Sequence, residues 1–555
     1  MKWLLSSLAL SASLLQGFVL AQVDNPIEPN VAPINYSDGN ATLLGHLALP
    51  DNDGPVPAIV IIPDWDGVNE YEQVRATMIA NDWGFVAFAA DIYGADLQVV
   101  ENRTERGELA TFYRSNPEVF GSRIHAAVEY VKTLDQVDAE KVALFGYCFG
   151  GTGVLQYGLN GNDDVEAIVS FHGGLSALPE NPVTFGPKLL VLSGGDDDAS
   201  TDIMDLEVTL DSVNASWEIT RYSGIEHAFT VFSEERYNAW ADMRSWSSAY
   251  SFVLEVFGLN TFESAKPSNT TTTPVDYVDE TDGTALRGHL ALPTSGWTRP
   301  LPAVVILPDW DGANTYEQER ATALAELGYV AMVADIYGAD LQYVESMEDR
   351  AALTGKYASN PDLYFSRIQK AIDQIKLLED DVDIKEIAIA GYCFGGSGAV
   401  LYSFFGGADA KVAVAFHGSL STLPPVEATI VPYLLILSGG DDGLHGNQTI
   451  MEDAFNSGNA TWEITRYAGV NHGFTVFDGD AYNLVADARS WDSMLTTLQE
   501  LVAIPQTVDG EGASDAPGAS PTDGSTDAAS GAMALFSKSM LGLVALASYV
   551  FSQFC

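Results

Sequence analysis

Short, uninterrupted apolar runs punctuate the chain. Ala58-Ile-Val-Ile-Ile62, Phe85-Val-Ala-Phe-Ala89, Val142-Ala-Leu-Phe145, Ala167-Ile-Val-Ser-Phe171 and Leu189-Leu-Val-Leu192 are continuous rather than alternating. Strands covered on both faces read this way, so the pattern predicts a parallel sheet. Between the runs, Tyr71 to Trp83, Val119 to Leu134 and Thr201 to Val213 have the length and patterning of crossover helices. Together they predict an α/β fold with a mostly parallel, doubly wound sheet flanked by helices.

The whole order then recurs. Pro63-Asp-Trp-Asp-Gly67 returns as Pro308-Asp-Trp-Asp-Gly312, Asp91-Ile-Tyr-Gly-Ala-Asp96 as Asp335 to Asp340, and Trp217-Glu-Ile-Thr-Arg-Tyr222 as Trp462 to Tyr467, at offsets of 245, 244 and 245. A period this long is a duplicated domain, because each copy has enough residues for its own core. The expected domains are residues 22–262 and 275–505, joined by an exposed linker at 263–274 that contains a run of four Thr. On this reading each half folds by itself.

Composition narrows the class. With 47% hydrophobic residues over 555 positions the chain has ample core material and is not disordered. A net charge of −50 would repel a phosphate backbone, which argues against nucleic-acid binding.

The two ends read as addresses. Residues 1–21, with Lys2 before an apolar run and Val19 and Ala21 at −3 and −1 of a cleavage point, are expected to be a secretory signal peptide. Asn-x-Ser/Thr sequons begin at Asn35, Asn40, Asn102, Asn214, Asn269, Asn447 and Asn459. Residues 506–529 have the composition of a flexible spacer. Residues 530–555 open with Ser530-Gly531-Ala532 and end in the apolar Leu541 to Phe551, the pattern of a glycosylphosphatidylinositol anchor signal, with a tail helix as the alternative. Cysteine is confined to Cys148, Cys393 and Cys555, which argues against a disulfide framework and leaves the first two to be explained by chemistry.

Those two cysteines carry the strongest signal. Gly146-Tyr-Cys148-Phe-Gly150-Gly151 follows a strand-like run, and Gly391-Tyr-Cys393-Phe-Gly395-Gly396 repeats it. Glycines flank a tight strand-to-helix turn that lifts a nucleophile to a helix N-terminus, here with cysteine in the serine place. Downstream lie Ser193-Gly-Gly-Asp-Asp197 and Ser438-Gly-Gly-Asp-Asp442, then Gly224-Ile-Glu-His227 and Gly469-Val-Asn-His472. Nucleophile, acid, histidine is the chain order of an α/β-hydrolase triad. The Gly-x-x-Asp spacing favours Asp197 and Asp442, with Asp196 and Asp441 as close competitors.

These segments resemble the dienelactone hydrolase family, over about 230 residues twice. The resemblance implies Cys148 and Cys393 as nucleophiles, Asp197 and Asp442 as acids, and His227 and His472 as bases. It also implies oxyanion holes from the backbone N–H groups of Phe149 with Trp65 and of Phe394 with Trp310. The family pairs its resting thiol with a glutamate, where this chain has the shorter Asp64 and Asp309. For the family's carboxylate-gripping arginine the best matches are Arg106 and Arg350.

His172 and His417, in Phe-His-Gly after a strand, either line the pocket or are structural, while His46 and His289 read as structural. No metal spacing and no nucleotide-binding loop is visible, so neither metal nor cofactor is expected. The implied partner is a small-molecule ester or lactone, with membrane contact only through the anchor. The competing functions are a surface-tethered binding protein built on inactive hydrolase folds and an acyltransferase. Oligomeric state is left open.

Overall fold

The computed structural model describes residues 28–504 apart from 53, 176, 177, 180, 260–269, 294–296, 419–424, 427, 443–447, 478 and 503. The expected signal peptide, spacer and anchor signal, and residues 263–269 of the linker, lie outside the described residues.

Each copy contributes eight strands. The first has β1 (Ala32–Asp38), β2 (Ala41–Ala48), β3 (Val56–Ile62), β4 (Val86–Ala89), β5 (Val137–Tyr147), β6 (Ala167–Phe171), β7 (Lys188–Gly194) and β8 (Trp217–Tyr222). The second has β9 (Thr272–Asp279), β10 (Thr284–Ala291), β11 (Leu301–Leu307), β12 (Val330–Val333), β13 (Val382–Tyr392), β14 (Val412–Phe416), β15 (Tyr433–Gly439) and β16 (Trp462–Tyr467). The runs that read as continuously apolar are the parallel strands: β4, β3, β5, β6, β7 and β8 lie side by side in that order. Their equivalents in the second copy are also parallel. Within each copy, among the described residues, only the opening hairpin runs antiparallel, joining the sheet through β2 and β10.

Helices cover both faces. In the first copy, Pro117–Lys132 and the elbow helix Phe149–Leu159 bury Ile124, Val128, Val131 and Val154 on one side, while Glu70–Met78 and Ala239–Val256 bury Val74, Met78, Trp246 and Val253 on the other. Asn69 starts its helix with a capping box to Glu72, and Asn314 does the same with Glu317. The helix predicted over Tyr71 to Trp83 ends differently from its counterpart. Ile79–Trp83 is a π-helical turn, whereas the second copy has one unbroken α-helix, Thr315–Glu326. One extra residue in the first copy accounts for the drop in offset from 245 to 244 between the two motifs on either side, and a π-turn absorbs such an insertion without shifting the strand that follows.

The expected linker is shorter at its C-terminal end, because Thr272, Thr273 and Pro274 already pair with Ala291, Leu290 and His289 in the β9–β10 hairpin. The halves are also not separate bodies. β8 pairs antiparallel with β16, so one sixteen-stranded sheet runs through both copies. Thr220 faces Thr465 in that register, their hydroxyls 3.0 Å apart.

Around this point the contacts are two-fold related. Arg244 pairs with Glu463 at 2.6 Å, Arg489 with Glu218 at 2.9 Å, Arg466 with Glu207 at 2.7 Å and Arg221 with Glu452 at 3.1 Å. Residue numbers in the second pair equal those in the first with 245 moved from one partner to the other, as in an isologous dimer interface. The expectation of independently folding halves is revised accordingly. A half alone would expose the β8 or β16 edge and leave buried charges without partners.

Candidate active site

Strand β5 delivers Cys148 into a strained turn. Its backbone sits at φ 51°, ψ −106°, and Cys393 at φ 53°, ψ −112°, a region that side chains other than glycine rarely occupy. The flanking glycines make this geometry feasible. A Cβ at Gly146 would lie 2.3 Å from the Gly150 carbonyl oxygen, and one at Gly150 would lie 2.2 Å from that of Ile62. The same close approach brings the start of the elbow helix against the Ile62-Pro63 backbone.

Both cysteines are half-buried and free. His227 Nε2 lies 3.0 Å from Cys148 Sγ, and its Nδ1 lies 2.8 Å from Asp197 Oδ1. His472 Nε2 lies 3.0 Å from Cys393 Sγ, with Nδ1 3.0 Å from Asp442 Oδ1. Asp196, the competitor, is exposed. Burial opposes charge on each imidazole, but the hydrogen bond to the aspartate, then the bond to and charge of the cysteine sulfur, outweigh it and push both histidines up to about 10. The arrangement therefore holds an imidazolium against the sulfur. The helix N-terminus favours negative charge on the sulfur from the other side.

Phe149 and Phe394 are the first residues of their helices, so their N–H groups have no acceptor within the helix. Across from them, Trp65 and Trp310 are held by tyrosines: Tyr93 donates to the Trp65 carbonyl at 2.9 Å and Tyr337 to that of Trp310 at 3.0 Å. These tyrosines belong to the repeated Asp-Ile-Tyr-Gly segment. Its recurrence was the signal that could have singled them out.

Asp64 and Asp309 are buried in clusters with Asp66 and Glu72, and with Asp311 and Glu317, whose oxygens come within 4.8 Å of one another. Sequence spacing did not reveal these groups, because the fold assembles them from a turn and the helix after it. Burial and then the neighbouring carboxylates push Asp64 well above the usual carboxylate range and Asp309 up to about 10. The charge of the Cys148 sulfur adds to the effect at Asp64. Arg106 and Arg350 are equivalently placed, 3.3 Å from Asp66 and from Asp311, and Arg350 lies 5.7 Å over the Trp310 ring.

His172 and His417 are fully buried at the ends of β6 and β14, their rings 5.3 and 5.2 Å from those of His227 and His472. Each bonds a threonine hydroxyl at 2.7 Å, Thr230 or Thr475, which bonds in turn to Tyr71 or Tyr316. Burial, then the charge of the neighbouring histidine, lowers both well below the ordinary imidazole range. They are thus neutral walls behind the cationic pair. His46 and His289 lie away from this site, beside Gln98 and Gln342.

Comparison with known proteins gives a consistent result. The model of the dienelactone hydrolase family matches residues 43–257 and again 286–502. A putative carboxymethylenebutenolidase of Synechocystis sp. is 29% identical over 229 residues, which is 38% of this chain and 92% of that protein. A probable 2-oxo-3-(5-oxofuran-2-ylidene)propanoate lactonase of Bradyrhizobium sp. is 26% identical over 246 residues, 41% of this chain and 96% of that one. Among solved structures, a dienelactone hydrolase-like promiscuous phosphotriesterase from metagenomic libraries is 28% identical with a TM-score of 0.38, covering 41% of this chain and 98% of its own.

Proposed function

Because the chain belongs to the dienelactone hydrolase family over both copies, we propose that each copy hydrolyses carboxylic ester or lactone bonds through its own cysteine, histidine and aspartate. One observation carries this reading. The same three side chains meet at the same spacing in both copies, 3.0 Å from sulfur to imidazole in each.

The chemistry follows from the atoms. The sulfur attacks the carbonyl carbon, and the N–H groups of Phe149 and Trp65, or of Phe394 and Trp310, receive the developing oxyanion. The imidazolium gives its Nε2 proton to the leaving oxygen as the C–O bond breaks, which leaves a thioester and a neutral imidazole. That imidazole then takes a proton from water as the water oxygen attacks. The carboxylic acid leaves and the sulfur recovers its charge beside the re-formed imidazolium. Asp197 and Asp442 hold the ring in the tautomer this requires. In a lactone the leaving oxygen stays attached to the acyl group, so a single hydroxy acid results.

The leader, the sequons and the C-terminal composition support a place in the secretory pathway and an anchor at the cell surface. The five sequon asparagines among the described residues are all exposed. Among the described residues no helix is long and apolar enough to cross a membrane.

The test is a panel of activated esters and enol-lactones assayed on the full chain and on the Cys148→Ala/Cys393→Ala double variant. Turnover that disappears in the double variant supports the reading. Tight ligand retention without turnover would favour a binding protein, and acyl products other than the free acid an acyltransferase.

A further inference from the structure

We propose that each triad's acid turn is held in position by the opposite copy. An arginine hydrogen-bonds the turn's carbonyls and a glutamate from across the interface neutralises it: Arg221 with Glu452 for the Cys148 site, Arg466 with Glu207 for the Cys393 site. This rests on the reading of Asp197 and Asp442 as the groups that orient the catalytic histidines.

The turn leaves β7 at Gly194 and carries Asp197 just before the helix Ser200–Ser212. Arg221 Nη2 donates to the carbonyls of Gly195 at 3.2 Å and Asp198 at 3.0 Å, and so grips the backbone on both sides of Asp197. The side chain is 1% exposed, and Glu452 supplies its counter-charge with oxygens 3.1 Å from Nε and 3.2 Å from Nη2. Glu452 belongs to the helix Gln448–Ser457 of the other copy and is itself held by Gln448 at 2.9 Å.

The second copy repeats the arrangement with one of the two carbonyl bonds among the described residues. Arg466 Nη2 donates to Gly440 at 3.0 Å, and Glu207 receives both Nε at 2.7 Å and Nη2 at 3.1 Å. A second contact is independent of charge. The Trp462 indole of the second copy reaches within 3.1 Å of where a Cβ on Gly195 would lie, and Trp217 does the same to Gly440. Each acid turn is therefore capped by an indole and tied by a guanidinium, and both depend on the opposite copy.

Removing the glutamate leaves a buried guanidinium that carbonyl dipoles alone do not neutralise. It will turn toward water or draw water in, and in either case it releases the carbonyls that fix Asp197. These arginines and glutamates touch no substrate and are positioning residues. The interface contains its own control, because Arg244–Glu463 is an equally buried cross-copy pair with bonds to Thr497 and Tyr433 and, among the described residues, none to either acid turn.

The experiment uses the full chain with both cysteines present. Iodoacetamide labelling rates of Cys148 and Cys393 are read in the same molecules by peptide mass spectrometry. Glu452→Gln is expected to slow Cys148 by roughly tenfold to a hundredfold, a smaller loss than removal of the acid itself, while Cys393 changes by less than about twofold. Glu207→Gln should give the reverse, Glu452→Asp should restore most of the Cys148 rate, and Glu463→Gln should affect both cysteines alike. Arg221→Lys, which keeps the charge but loses the fork, should resemble Glu452→Gln. Because the unaffected cysteine reports folding within each variant, loss of the fold cannot mimic the crossed pattern.

Ester hydrolysis in a Cys393→Ala background adds a second readout, in which Glu452→Gln lowers kcat and leaves KM unchanged. Equal slowing of both cysteines by Glu452→Gln, or a pattern indistinguishable from Glu463→Gln, overturns the proposal. If no variant or parent hydrolyses esters while the crossed labelling persists, the hydrolase reading falls and the cross-copy support stands.

Discussion

In the first copy both carboxylate oxygens of Asp197 lie within 3.0 Å of His227 Nδ1, whereas in the second, among the described residues, Oδ1 of Asp442 bonds His472 and the buried Oδ2 has no hydrogen-bond partner. The surroundings diverge in the same places. Asp198 follows Asp197 in the first copy, where Gly443 follows Asp442 in the second. His417 Nδ1 accepts the Cys393 N–H at 3.2 Å, while His172 Nδ1 has no hydrogen-bond partner among the described residues. By contrast the elbows, the cross-copy arginines and the indoles match position for position. The elbow and the frame shared between the copies are thus duplicated, and the copies differ in how the acid and its neighbours are bonded.

The comparison can be broken most severely at the sulfurs. Cys148→Ala and Cys393→Ala should each leave the other site's turnover. The double variant should lose several powers of ten, on the order seen for comparable triads, in initial rates on an activated ester. Full activity in the double variant would remove the assignment from both copies.

The next effect concerns the shared frame. Because each copy carries the same arginine, glutamate and tryptophan set, an isolated half is expected to pair with itself through its β8 or β16 edge, so analytical ultracentrifugation should find a dimer of halves. Within the full chain, Glu463→Gln should cost about 1–3 kcal/mol in urea unfolding by leaving buried Arg244 with Glu500, 3.6 Å away, as its remaining counter-charge. A monomeric, fully stable half would contradict the picture of a shared body.

Two smaller effects separate the copies. Asp82 in the π-helical turn is buried, and that burial pushes its carboxyl up to about 7, whereas the second copy has no π-turn at the equivalent place. A carboxyl raised in the folded state binds its proton more tightly there, so its contribution to stability falls as pH rises from about 4 to about 7. Asp82→Asn should therefore match the parent near pH 4 and exceed it in Tm at pH 8. Last, burial and then the charge of Asp197 push Asp198 up to about 6. Its ionisation adds negative charge near His227, so a Cys148-only enzyme should show an inflection of roughly twofold to threefold near that pH, within the range of a surface-adjacent charge. Asp198→Asn should abolish it, and a Cys393-only enzyme should lack it.

Much of this was legible in the chain because the signals are local. Continuous apolar runs locate parallel strands, and the Gly-x-Cys-x-Gly-Gly spacing marks a turn where a Cβ would meet backbone. The Gly-x-x-Asp spacing picked the aspartates that meet His227 and His472 over their exposed or more distant neighbours. The cross-copy sheet was not legible. Trp-Glu-Ile-Thr-Arg-Tyr carries two charges on an outermost strand, and a solvated edge is what such charges ordinarily mark. Only the spatial order of strands shows that this edge meets its own repeat. The acid clusters were hidden for a related reason, since Glu72 and Glu317 lie on the helix after the turn and only the fold returns them over Asp64 and Asp309.

The sixteen-stranded sheet also bears on mass action. Two separate chains joined along β8 would come apart on dilution, and with them the groups that brace each acid turn. Here Leu259 and Thr270 are separated by ten residues, a tether short enough to hold the copies at an effective concentration on the order of millimolar. A single molecule in a large volume thus keeps both sites braced, and specific activity should not fall as the protein is diluted.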